Sequence, residues 1–211
     1  MTDHPVRSAI LTRKEIPPYI VGISGASGVT LGSRAVEWLI ANGYPTIVTT
    51  TGAVEEVWRQ EIGEELSVSV ESWRERGVRV FGPKEMAAPI ASGSFPVSGM
   101  LVAPCSMATV SAIANGASTN LLQRAADCTI KEGRRLVLVP RETPLSAIHL
   151  ENLLKLARLG VRIVPPIPAF YTGAASLDTI IDQIVSRALT ALGLAEALTP
   201  YVYHPEAYSE D

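Results

Sequence analysis

The chain has 211 residues, 47% hydrophobic and 18% charged, with a formal net charge of -3. That composition suits a single domain with a sizeable core, excludes an intrinsically disordered chain, and gives no electrostatic footing for nucleic acid. No apolar run reaches the ~18–20 residues of a membrane span, no hydrophobic signal core precedes residue 19, and the cysteines and histidines are too scattered for a metal cluster, so a cytoplasmic protein without metal or membrane partner is expected.

The first element, Tyr19–Ser24, is an apolar strand that breaks into Gly25, Ala26, Ser27 and Gly28 before an amphipathic helix over 30–41. This is the build of a first βα turn in an open α/β sheet. Small side chains let backbone N–H groups approach a bound group, and the following helix N-terminus favours negative charge. A turn packed without any ligand is glycine-rich too. The segment lacks the G-x-G-x-x-G spacing and the G-x-x-x-x-G-K-[ST] loop, which ranks a flavin-type mononucleotide above NAD or ATP. Further strands are predicted over 46–50, 78–81, 99–103, 136–139 and 161–164, and helices over 53–63, 106–115, 120–131, 145–159 and 177–192. Ser176 is the expected N-cap of the last helix, with Asp178 in its first turn. Strands this apolar, alternating with helices, imply a three-layer α/β/α architecture with a mostly parallel sheet covered on both faces. Residues 1–18 and 195–211 read as arms on a domain over 19–194.

In such folds ligands bind beyond the carboxyl ends of the strands. The unusual residues cluster there: Gly25–Gly28, then Thr49–Gly52, Pro104–Thr109, Pro140–Pro144 and Pro165–Tyr171. Hydroxyls at Ser27, Thr51, Ser106 and Thr109 suit phosphate oxygens, and Thr51 and Ser106 equally suit helix capping, which uses the same geometry. Arg124, Lys131, Arg141 and Arg187 are spread along the chain; Arg141 stands out, between an apolar strand and a proline-bounded turn. Glu142 beside it is expected to be partly desolvated and able to carry a proton, and Glu61 is a second candidate acid. Tyr171 follows the proline-rich loop. The short segment Ala91–Phe95 reads as a turn, a lid or a pocket floor. His149 falls within an apolar helical pattern with Leu145, Ile148, Leu153 and Leu156 and reads as a packed residue rather than a catalyst. Cys105 has no visible base nearby and reads as a non-nucleophile.

Taken in order, the blocks GISGASG (22–28), ASGSF (91–95), APCSMAT (103–109), LLQRAAD (121–127), IKEGRRLVLVPRETPLSAIHLENLLKL (130–156) and PPIPAFY (165–171) resemble the flavin prenyltransferase (UbiX-type) family. The resemblance implies a flavodoxin-like, Rossmann-like α/β/α domain that assembles into a homo-dodecamer. It implies binding of reduced FMN and of dimethylallyl phosphate, transfer of the prenyl group to flavin N5 and C6 without a metal, and delivery of prenylated FMN to UbiD-type decarboxylases. Carried over position by position, Gly25, Ala26, Ser27, Thr51, Ser106, Met107, Ala108, Thr109, Arg124 and Arg141 resemble the FMN contacts. Ser92, Gly93, Ser94, Lys131, Arg141, Tyr171 and Arg187 resemble the prenyl-phosphate contacts, and Glu61 and Glu142 match the two acids near the reaction centre. Glu61 is reached by counting without gaps from Ser27. Two features depart from the pattern: Ala108 stands where some relatives carry lysine or glycine, and a C-terminal aromatic lid has only Tyr201 and Tyr203 as candidates.

The alternatives are a flavin-dependent cysteine decarboxylase and a non-enzymatic flavin carrier or accessory subunit of an aromatic acid decarboxylase. The first leans on a histidine base in the first half of the chain, and no histidine occurs between His4 and His149.

Overall fold

The computed structural model describes Arg13, residues 16–170 and residues 176–197. Six strands, β1 (Tyr19–Ile23), β2 (Thr46–Thr50), β3 (Arg79–Phe81), β4 (Gly99–Cys105), β5 (Leu136–Pro140) and β6 (Arg162–Ile163), form one sheet in the order β3-β2-β1-β4-β5-β6. Every pairing is parallel. The run β2-β1-β4-β5-β6 is the flavodoxin order, to which β3 adds an edge strand. The order reverses between β1 and β4, and the crevice at the carboxyl ends of those two strands is where such sheets take ligands.

The helices among the described residues are α1 (Val29–Ala41), α2 (Val54–Ile62), α3 (Leu66–Glu75), α4 (Met107–Ala114), α5 (Leu121–Lys131), α6 (Ala147–Arg158) and α7 (Leu177–Leu192), with a 3₁₀ turn at Pro89–Ala91. None is long and apolar enough to cross a membrane. Side chains alternate across each strand, so the buried sheet feeds two cores. Val21, Ile23, Val48, Leu101 and Val137 face α1, α2, α3 and α7. Ile20, Ile47, Met100, Val102 and Leu138 face α4, α5 and α6. Ser176 caps α7 as expected, its hydroxyl accepting the Thr179 N–H at 3.2 Å.

Two expectations need correction, and one helix stands where no element is predicted. The stretch between 63 and 78 holds that helix, α3: Leu66, Val70 and Trp73 form its inner stripe, and Trp73 meets Trp58 edge-to-face at 5.7 Å. The apolar pattern Leu145–Leu156 is not one core stripe. Leu156 is fully buried and Leu153 packs on the core, but Leu145 and Ile148 are exposed, as are Leu150 and Leu154. His149 is not core-packed either; its Nδ1 accepts the Ser146 N–H at 3.2 Å while the Ser146 hydroxyl accepts the His149 N–H, a reciprocal cap that starts α6.

Candidate active site

The crevice between β1 and β4 is built around Ser24, which is fully buried. Its hydroxyl donates to the Pro104 carbonyl at 2.9 Å and accepts the Ser106 N–H at 2.7 Å, while its own N–H reaches the same Pro104 carbonyl at 3.2 Å. One side chain therefore fixes the spacing of the two loops that follow β1 and β4. The Thr51 hydroxyl accepts the Gly25 N–H at 3.0 Å, so it braces the first loop instead of capping α2. A Cβ on Gly25 would fall 2.4 Å from the Ala53 Cβ, and Gly28 turns into α1 at φ 98°, a left-handed conformation that favours glycine. Ala26 is buried and Ser27 is exposed on the rim.

The two helix N-termini at this rim differ. At α1, the expectation of an open seat for bound negative charge is corrected: Glu61, reaching across from α2, already fills it. Its carboxylate accepts the Gly28 N–H at 2.9 Å and the Val29 N–H at 3.0 Å. A side-chain carboxylate answers the positive helix end and satisfies two first-turn donors. At α4, the Ser106 hydroxyl accepts the Thr109 N–H at 3.3 Å and lies 3.0 Å from the Thr109 hydroxyl. The first-turn N–H groups of Met107 and Ala108 meet no acceptor among the described residues. Ala108 is exposed there, so a phosphate can approach that terminus.

Arg141 and Glu142 leave β5 at the same rim, tied to β4 by the Arg141 N–H on the Cys105 carbonyl at 3.1 Å. Arg141 makes no ion pair among the described residues. Glu142 is exposed rather than partly desolvated, its carboxylate accepting only the adjacent Thr143 N–H at 3.0 Å. Cys105 is fully buried, and burial pushes its thiol far above the ordinary range, which agrees with a packing role.

The remaining candidates form two other patches. On α5, Arg124, Cys128 and Lys131 share one face at helical spacing. Arg124 donates from Nε to the Ala91 carbonyl at 3.0 Å and pairs with Asp127 at 2.7 Å; the Cys128 thiol reaches the same carbonyl at 3.3 Å. Lys131 pairs with Glu132 and lies over Gly93, and the Ser92 and Ser94 hydroxyls are 2.8 Å apart beside it. Lys131 closes α5 near the amino ends of the strands, where the Arg135 carbonyl accepts the Met100 N–H at 2.9 Å. Arg187 is exposed on α7, roughly 15 Å down the helix from its rim end at 1.5 Å per residue. The single chain thus gathers Gly25–Ser27, Thr51, Glu61, Ser106–Thr109, Arg141 and Glu142 at the rim but leaves Arg124 and Lys131 with Ser92–Ser94 on a second surface and Arg187 on a third. Tyr171, Tyr201 and Tyr203 lie outside the described residues.

Residues 8–189 match the family described as Flavoprotein. The chain is 46% identical over 188 residues to the flavin prenyltransferase UbiX of Synechocystis sp., covering 84% of this chain and 91% of that protein. It is 45% identical over 186 residues to the UbiX of Halalkalibacterium halodurans, covering 85% and 90%. Among solved structures, AnUbiX in complex with FMN and dimethylallyl pyrophosphate superposes with a TM-score of 0.80 at 41% identity, over 85% of this chain and 93% of that one. A dodecameric FMN-dependent UbiX-like decarboxylase from Escherichia coli O157:H7 gives 0.79 at 40% identity, over 84% and 95%. The cysteine decarboxylase TvaF, at 16% identity and a TM-score of 0.60, shares the fold alone. The chain belongs to the flavoprotein family and, within it, to the UbiX flavin prenyltransferases.

Proposed function

We propose that this protein joins the dimethylallyl group of a dimethylallyl phosphate to N5 and C6 of reduced FMN in the cytoplasm, and that the prenylated FMN passes to a UbiD-type decarboxylase. The observation that carries the reading is the β1–β4 crevice. It offers small residues at Gly25–Gly28, hydroxyls at Thr51, Ser106 and Thr109, and first-turn N–H groups on α4 with no protein acceptor among the described residues. That donor set fits FMN: amides and hydroxyls for the phosphate, and a wall without bulky side chains for the flat ring system. The similarity to relatives named flavin prenyltransferases supports the same reading.

Reduced FMN, when bound, supplies the electron-rich atoms to which the allylic carbons become joined. The chain's own residues do the rest. Ser106 through Thr109, with Arg124, hold the flavin phosphate. Lys131, Arg141 and Arg187 neutralise the negative charge on the departing prenyl phosphate, a task that needs fixed cations rather than a metal. Glu142 moves a proton at the prenyl double bond, and Glu61 keeps its carboxylate oriented by the Gly28 and Val29 amides. The three surfaces lie apart on one chain, so a homo-oligomer completes the site by bringing them together across subunit contacts. The dodecameric relative supports that assembly.

The test is incubation of the pure protein, under nitrogen, with dithionite-reduced FMN and dimethylallyl monophosphate or diphosphate. Flavin extracted afterwards is expected to have gained one five-carbon unit by mass. Protein that binds FMN yet returns it unmodified with both donors is a carrier, and the proposal fails.

A further inference from the structure

We propose that Arg134 is a positioning residue for the prenyl-phosphate end of the site, holding the Ser92–Phe95 turn beneath the Lys131 ammonium. The inference rests on the flavin prenyltransferase reading and adds to it a residue whose own side chain touches neither substrate.

Arg134 follows the end of α5 and is half-buried. Its guanidinium spans the turn, one nitrogen donating to the Gly93 carbonyl at 2.8 Å and another to the Phe95 carbonyl at 2.9 Å. A planar fork on two carbonyls fixes the rotation of the peptide units between them, which a point charge cannot do. Its own bonds are short-range: the Ser92 N–H on the Pro89 carbonyl at 3.1 Å, the Phe95 N–H on the Ser92 carbonyl at 3.2 Å, the Ser94 N–H on the Ser92 hydroxyl at 3.4 Å and the contact between the two hydroxyls. At its far end the Arg79 guanidinium lies 5.3 Å from the Phe95 ring and 5.6 Å from the Phe81 ring. Lys131 and Glu132 cover Gly93. A Cβ added there would stand 2.4 Å from the lysine nitrogen and 2.2 Å from a Glu132 oxygen.

The result is a buried glycine beside a cation, flanked by two exposed serines, on a turn whose carbonyls are tied down by Arg134. An ammonium and adjacent short donors are the chemistry that takes a phosphate monoester. Orienting them before the ligand arrives removes an ordering cost that would otherwise weaken binding. Glu132 pairs with Lys131, and the Lys131 ammonium keeps the Glu132 carboxyl below the usual carboxylate range.

The experiment compares wild type, Arg134→Met and Arg134→Lys in steady-state prenylation of reduced FMN with dimethylallyl monophosphate, alongside FMN titration by fluorescence. Wild type comes first: if it prenylates nothing with either prenyl donor, the functional reading itself fails, independently of Arg134. With an active wild type, Arg134→Met is expected to raise the KM for the prenyl phosphate about tenfold, with FMN affinity and kcat changed by less than about threefold, and Arg134→Lys to recover part of the loss. A purely structural role would lower FMN affinity and thermal stability while leaving that KM alone. A folded Arg134→Met with an unchanged KM, or with FMN and prenyl phosphate weakened alike, overturns the proposal. Should Arg134→Met fail to fold, Arg134→Lys decides, because it keeps the charge and gives up the fork on the two carbonyls: a KM for the prenyl phosphate raised about threefold or more at unchanged FMN affinity supports the role, and an unaltered KM removes it.

Discussion

Ser24 is the residue on which the geometry of the rim turns, since its hydroxyl both gives to Pro104 and receives from Ser106. Replacing it with alanine leaves the part-buried Ser106 N–H without that acceptor just ahead of α4. A fully buried unsatisfied donor costs about 1–3 kcal/mol, and partial burial puts this one near the lower end, about 1 kcal/mol. Ser24→Ala is therefore expected to lose stability of that order in urea denaturation and to bind FMN more weakly, because the α4 amides are no longer set against the β1 loop. Unaltered FMN affinity in the folded variant would mean that the two loops keep their spacing without the hydroxyl. At this scale the sequence shows its rim clearly: glycines, hydroxyls and prolines after each strand mark the loops that face the crevice. Ser24 is invisible as a tie, because its partner Pro104 is 80 residues away and a serine ending a strand has no signature of its own. Glu61 can be reached by spacing, but its seat on α1 depends on how α2 folds back over Gly28. The exposure of Glu142 and the distance of Arg187 from the rim are also matters of packing, beyond what residue type conveys.

Between elements, the latch of α1 on α3 has a sign that acid titration can read. Glu37 of α1 accepts the Trp73 indole N–H at 2.9 Å and an Arg76 guanidinium N–H at 2.7 Å. The Arg76 bonds, against some desolvation, hold the Glu37 carboxyl below its ordinary value of 4.5. A carboxyl lowered in the folded state adds stability that is fully present above its unfolded pKa and disappears as pH falls through the folded pKa. Glu37→Gln should accordingly cost about 1 kcal/mol at pH 7, a modest figure because the pair is partly exposed to solvent. The gap to wild type should narrow in urea melts carried out below pH 4.5 and close once the pH has fallen through the lowered folded value. A gap that persists in acid would assign the loss to packing instead of charge. The same pair of helices marks the limit of legibility among elements. The strands are apparent as apolar runs because a parallel sheet is buried on both faces. Only Leu66, Val70 and Trp73 of α3 turn inward, amid charged residues, so its short stripe reads as a polar connection. The pattern in α6 misleads in the opposite direction, since apolar spacing does not distinguish a face turned to the sheet from one turned outward.

On the scale of the whole molecule, that outward face has a consequence. Leu150 and Leu154, one helical turn apart on α6, are 53% and 50% exposed, beside a ridge formed by Glu151, Lys155 and Arg158. Ile148 at 68%, Ile167 at 70% and Phe170 at 87% add further apolar surface. Scattered exposed leucines are ordinary on a monomer, but a paired row on one helix marks a contact surface. On the proposed reading the occupants would be further copies of this chain, because one association would cover the apolar row and also bring together the proposed binding residues Arg124 and Lys131 on α5, Arg187 on α7 and Glu142 at the rim. The double substitution Leu150→Glu, Leu154→Glu places two carboxylates in the contact without entering either core. It is expected to yield smaller species in sedimentation velocity with unchanged far-ultraviolet circular dichroism, and to lower prenylation at least about tenfold, since each transition-state cation supplied by a neighbour is lost together with the contact. A variant that dissociates but prenylates at the wild-type rate would show that one chain holds every group the reaction needs, and a variant that stays assembled would free α6 from the interface.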